Sequence, residues 1–114
     1  MQLSRVLERV RPRPEARYVV FHCADPMNDD GSKYYESVDM EDAYHPQTIL
    51  AYQLNDQQLP VANGAPIRVR IERQLGYKMA KYIMSIELVS SFEKIRGGKG
   101  GYWEDLGYQW YAGI

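Results

Sequence analysis

The chain has 114 residues, of which 45% are apolar and 25% charged, a length and composition suited to one compact core and too short for a second independent domain. Its 14 basic and 15 acidic residues leave a formal net charge of −1, which excludes a whole-molecule field that recruits nucleic acid or an anionic membrane and makes any anion site local. Apolar runs such as Tyr18-Val19-Val20-Phe21 fall far short of the roughly 20 residues needed to cross a bilayer, so a soluble chain without a membrane span is expected.

Residues 1–10 place Leu3, Val6, Leu7 and Val10 at helical spacing with Arg5, Glu8 and Arg9 among them, which predicts a short amphipathic helix and not a secretion signal. Arg11-Pro12-Arg13-Pro14 removes two backbone donors and forms a stiff connector that ends the helix. Residues 17–24 are rich in β-branched and aromatic side chains and predict a buried strand that stops at Asp25-Pro26. Residues 27–33, with Asn28, Asp29, Asp30, Gly31 and Ser32, read as an exposed turn or loop. A short strand over 34–37 and a helical turn or two over 37–44, before His45-Pro46, follow.

Residues 48–54 predict a short strand or a turn of helix, and Asn55-Asp56-Gln57 a turn. Residues 66–72 are the clearest strand: Ile67, Val69 and Ile71 fall on one face and Arg68, Arg70 and Glu72 on the other. A second strand is expected over 82–89. Residues 96–101 hold four glycines in six positions and are expected to be mobile unless a ligand orders them. The fold class read from these elements is α+β, mixed and mainly β, with short helices in a single domain over 1–114.

The single cysteine, Cys23, excludes an internal disulfide framework and a multi-cysteine zinc site, and permits a reducing compartment. Inside an apolar strand it reads as a small hydrophobe and not as a metal ligand. His22 and His45 have no third ligand at zinc spacing. Gly97-Gly98-Lys99-Gly100-Gly101 lacks the spacing of a phosphate loop and follows no strand. Ten tyrosines and two tryptophans, concentrated at Tyr34-Tyr35 and in the last 13 residues, suit a core edge or a cleft wall.

Taken alone, Asn63-Gly64 is a tight turn, Lys78 and Lys81 are a solvated basic turn, Asp25 is a strand-ending residue before proline, and Trp103, Tyr108, Trp110 and Tyr111 are a packing cluster. Three separated blocks carry a further meaning: Asn63-Gly64-Ala65-Pro66-Ile67-Arg68, Gly76-Tyr77-Lys78-Met79-Ala80-Lys81 and Trp103-Glu104-Asp105-Leu106-Gly107-Tyr108. In this order and at about this spacing they resemble the cofactor-binding half of the molybdopterin-dependent oxidoreductases, the sulfite oxidase-like family, most strongly over residues 17–114.

The resemblance implies a sulfite oxidase-like molybdopterin-binding fold truncated at its N-terminal side. It implies that Asn63 contacts the pterin cofactor and that Arg68 binds its phosphate, a task for which a guanidinium has the paired donors. Lys78, Met79, Ala80 and Lys81 would close over the terminal phosphate with backbone amides and a lysine, a concave anion nest. Asp25 would be the acidic position near the cofactor and Tyr108 the tyrosine near the metal.

In this family a cysteine upstream of the segment that residues 17–25 resemble ligates the molybdenum. The resemblance therefore implies the molybdopterin-binding portion of an oxygen-atom or electron-transferring oxidoreductase, not catalytically complete alone, whose partner is an N-terminal half on another chain or a second copy. The alternative is a non-catalytic scaffold or interaction module that keeps the fold and an anion pocket. No nucleic-acid partner is expected. A cytoplasmic location is favoured, with the periplasm open where an N-terminal signal is missing.

Overall fold

The computed structural model describes residues 1–26, 33–51, 53–54, 57–58, 67–71, 80–107 and 110. The chain opens with helix α1 (Leu3–Val10), whose buried Leu3 and Leu7 point inward while Val10 lies outside. Its end is set at Arg11, which adopts a left-handed conformation and donates its N–H to the Leu7 carbonyl, so the turn closes just before the prolines.

Strand β1 (Tyr18–Pro26) pairs antiparallel with β2 (Lys33–Asp39) on one side and with β7 (Ile83–Val89) on the other. As the central strand it is covered on both faces, since Val19, Val20 and Phe21 are all at 0% exposure. Two differences from the sequence reading stand out here. β1 runs through Asp25-Pro26 because the ladder resumes beyond a register shift, with Pro26 opposite Lys33, and a proline is tolerated at such a strand end. Val38 and Asp39, expected to be helical, complete β2. Helix α2 (Met40–Tyr44) begins only after Asp39, whose carboxylate accepts the Asp42 N–H at 2.7 Å and so caps the first turn.

Two smaller antiparallel pairs follow: β3 (Ile49–Ala51) with β6 (Arg68–Arg70), and β4 (Gln53–Leu54) with β5 (Gln57–Gln58). Gln57, read as part of a turn, thus begins a strand, while Asn55 and Asp56 lie outside the described residues. The alternation predicted around β6 holds where it is described, with Val69 and Ile71 buried and Arg70 exposed. One face of the three-stranded sheet meets α1, α2 and the β3/β6 pair in a core built on Leu3, Leu7, Phe21, Val38, Leu50 and Val69.

The other face carries Tyr18 and Ser37, and the tail folds back over it. Phe92 and Trp110 pack on the Tyr18 ring at 4.7 and 5.6 Å between centroids. Trp110 Nε1 donates to Ser37 Oγ at 2.8 Å, and that hydroxyl donates to the Gly100 carbonyl at 2.6 Å. Helix α3 (Tyr102–Asp105) closes the described tail. Among the described residues no helix is long and apolar enough to cross a membrane.

Candidate functional site

Three segments meet at one corner of the molecule. Ala24 N, near the end of β1, donates to the Tyr82 carbonyl at 2.9 Å. Ile83 N donates to the Ile67 carbonyl at 2.9 Å, and Val69 N to the Ala80 carbonyl at 2.8 Å. Residues 80–83 therefore bridge the end of β1 to β6, and they bring the backbone of Asp25 together with Arg68, Ala80 and Lys81. Asn63, Lys78, Met79 and Tyr108 lie outside the described residues.

The local sequence explains the geometry. Ile67, Val69 and Ile71 turn into the core or against it, which leaves the half-buried Arg68 on the opposite face of the strand. Ala80 is at 0% exposure, a place for a small side chain where two backbones close on each other. Lys81 turns outward, its ammonium 5.5 Å from the centroid of the Tyr82 ring. Tyr82, expected to open a strand, instead takes φ 57, a left-handed conformation uncommon for an aromatic residue. The β1/β7 register also shifts between His22 and Cys23. Irregularities of this kind re-aim side chains and concentrate beside functional sites.

The donors in this corner are cationic, and they suit phosphate oxygens. A guanidinium offers paired N–H groups and an ammonium a point charge. They do not suit a metal. Among the described residues no group of three His, Cys, Asp or Glu side chains converges on a common point, and Cys23 is held in the core at 4% exposure. The cationic donor types at Arg68 and Lys81 suit an anionic group such as a phosphate. His22 is engaged with Glu87 at 2.9 Å, and His45 Nδ1 accepts the Gln47 N–H at 3.1 Å.

Sequence reasoning missed a second polar cluster, on β2 and the tail. Glu36 and Glu104 are buried at 0% and 3% exposure on either side of Gly101, where a Cβ would come within 2.6 Å of an oxygen of each. Only glycine admits both carboxyl groups there. Tyr34 donates to Glu36 Oε2 at 3.4 Å, and burial first, then the charges of Glu36 and Glu104, raises its pKa far above the ordinary tyrosine value.

Tyr35 donates a short hydrogen bond to Asp105. Asp105 also accepts the Gly97 and Lys99 N–H groups, each at 3.1 Å. The glycine-rich segment expected to be mobile without a ligand is therefore ordered by the chain's own carboxylate. Arg96 completes this cluster, donating to the Lys33 carbonyl at 2.8 Å with its guanidinium 4.8 Å from the Tyr35 ring centroid. The readable signal was the Gly100-Gly101 pair just ahead of Glu104 and Asp105.

Residues 1–95 match the family profile described as the oxidoreductase molybdopterin binding domain. This match includes α1 and the corner at Arg68 and Lys81, and it ends before Trp103 and Tyr108. The putative protein-methionine-sulfoxide reductase subunit YedZ1 of Azospira oryzae is 42% identical over 99 residues, 87% of this chain and 33% of the relative. The protein-methionine-sulfoxide reductase catalytic subunit MsrP of Xanthomonas axonopodis pv. citri is 34% identical over 112 residues, 91% of this chain and 33% of the relative. The sulfane dehydrogenase SoxCD of Paracoccus pantotrophus shares the fold, with a TM-score of 0.67 at 21% identity over 85% of this chain and 23% of that one. The chain spans about a third of the length of these curated relatives.

Proposed function

This chain belongs to the oxidoreductase molybdopterin binding domain family, and on that premise we propose that it is the portion of a molybdenum-dependent oxidoreductase that grips the phosphate-bearing end of the cofactor. The observation that carries the reading is the backbone bridge from residues 80–83 to Ala24 and to Ile67 and Val69. It gathers Arg68 and Lys81 beside the end of β1.

In this reading Arg68 binds phosphate oxygens through its fork of donors, and Lys81 adds a second positive charge from the next segment. Lys78, Met79 and Ala80 contribute backbone N–H groups to the same anion, Asn63 contacts the pterin, and Asp25 stands as the acidic neighbour. Tyr108 is assigned to the metal end. The bound cofactor would supply the redox chemistry, an oxygen-atom or electron transfer, while this chain supplies placement and electrostatics. By the names of the relatives, the complete enzyme would act on the sulfoxide of oxidised methionine.

The thiolate that holds the metal is assigned to a cysteine outside these 114 residues, because Cys23 is committed to the core. That same burial favours a second reading, a non-catalytic module that keeps the anion pocket alone. The test is pterin content after purification from a host that makes the cofactor, read as the fluorescence of its oxidised form. Wild-type chain is expected to retain pterin, Arg68→Ala to lose most of it, and Arg68→Lys to keep an intermediate amount. Equal retention in all three overturns the assignment of Arg68, and absence of pterin from folded wild type leaves only the scaffold.

A further inference from the structure

The charge of this chain is divided along its length. Five of the 14 basic residues fall within the first 17 positions, against two of the 15 acidic ones, which leaves nine basic and 13 acidic residues to the rest. Arg5, Arg9, Arg11, Arg13 and Arg17 are all exposed. None of their guanidinium groups makes a hydrogen bond or an ion pair with another described residue. The contrast is Arg96, whose guanidinium is engaged by a carbonyl and a ring.

Between these arginines the surface is concave and partly apolar. One groove, of about 510 Å³, is lined by Met1, Arg5, Val6, Arg9 and Val10. A second, of about 400 Å³, shares Val10 and is lined further by Arg11, Pro12, Arg13, Glu15, Ala16, Leu88 and Ser90, so its two arginines outnumber its one carboxylate. Met1, in the first groove, and Val10, common to both, are 59% and 60% exposed, so the grooves offer apolar contact within a rim of four arginines and Glu15.

We propose that this arginine-rimmed double groove docks an acidic segment of a partner protein, an extended stretch with several carboxylates and an apolar side chain between them. Carboxylates answer the arginines by paired hydrogen bonds, and an apolar anchor answers Met1, Val6 and Val10. Pro12 and Pro14 stiffen the connector, so docking freezes little backbone that is not already fixed. A bilayer surface is a poorer match: lipid insertion needs an apolar helical face turned outward, whereas Leu3 and Leu7 of α1 are spent in the core. This proposal stands apart from the cofactor corner, since none of the residues lining the two grooves belongs to that corner.

The experiment is fluorescence anisotropy of the 114-residue chain with a labelled peptide rich in Asp and Glu and carrying two leucines, repeated as NaCl is raised. Wild type is expected to bind with an affinity that falls with salt. The triple variant Arg5→Gln/Arg9→Gln/Arg13→Gln, all exposed positions, should weaken binding by about tenfold. Lys94→Gln, an exposed lysine outside both grooves, should leave it unchanged. Absence of binding, equal affinity in the triple variant, or sedimentation with phosphatidylserine vesicles in place of peptide binding overturns the proposal. So does a concentration-dependent dimer of the chain alone that the triple variant abolishes, which would assign the groove to a second copy.

Discussion

Tyr34 and Tyr35 are neighbours on β2, and their hydroxyls end on different acidic partners, Glu36 and Asp105. Burial is the first cause that raises the pKa of each above the ordinary value of 10.0, followed by the negative charge of Glu36 and Glu104 for Tyr34 and by the hydrogen bond to Asp105 for Tyr35. The folded chain therefore keeps two protons that the unfolded chain releases near pH 10. Their contribution to stability is complete below about pH 10 and is lost as pH climbs toward the folded values. Urea unfolding followed against pH should show stability falling steeply above about pH 10, with a shallower fall in the Tyr34→Phe/Tyr35→Phe variant. Tyrosinate absorbance from all ten tyrosines while circular dichroism stays native would contradict it.

At this scale the sequence was uneven. The alternation of Ile67, Arg68, Val69 and Arg70 announced which side chains turn inward, because period two is written into residue type. The left-handed Tyr82 was not announced. Its φ of 57 is imposed by the junction between β1, β6 and β7, and nothing in its neighbours, Lys81 and Ile83, favours that conformation. Glu36 was missed for a related reason. A charged residue within a strand reads as solvent-facing, and its burial depends on the close approach that Gly101 permits 65 positions later.

Among the elements, the tail is the one whose order rests on a few named contacts. The loop at residues 97–101 wraps the Asp105 carboxylate so closely that a Cβ on Gly97 would lie 2.4 Å from Asp105 Cγ. Gly100 combines φ 97 with Trp110 Cδ1 at 2.5 Å from any Cβ, so neither position accepts a side chain in place. Asp105→Ala should remove the acceptor of three hydrogen bonds at once, at a cost of about 3 kcal/mol. Hydrogen exchange at the Gly97 and Lys99 amides should accelerate far more than at Val19 or Phe21 in the central strand. Equal acceleration throughout would mean that the loop does not open separately from the sheet.

The elements were mostly legible and their edges were not. α1, β1, β2, β6 and β7 follow from periodicity and from the prolines at 12 and 14. The extra length of β1 and β2 follows from their pairing with each other. A strand continues while a partner offers hydrogen bonds, and such a partner is distant in sequence. The glycine-rich loop was misjudged because composition speaks only for freedom of the backbone, whereas the restraint comes from a carboxylate eight positions beyond Gly97.

For the whole molecule, family membership was legible because three blocks agree in order, and the fold shared with SoxCD bears out the mixed, mainly β architecture. The backbone bridge that joins the end of β1 to residues 80–83 and to β6 is written in no local pattern, since 43 positions separate Asp25 from Arg68. In the proposed division of the cofactor, this chain would hold the phosphate end and a thiolate from elsewhere the metal. The most direct test is the molybdenum-to-pterin ratio of the purified 114-residue chain, measured together by elemental analysis and fluorescence. The division predicts retained pterin with molybdenum well below one atom per pterin. One molybdenum per pterin, abolished by Cys23→Ala in a chain that still folds, would contradict it and make this chain its own metal site.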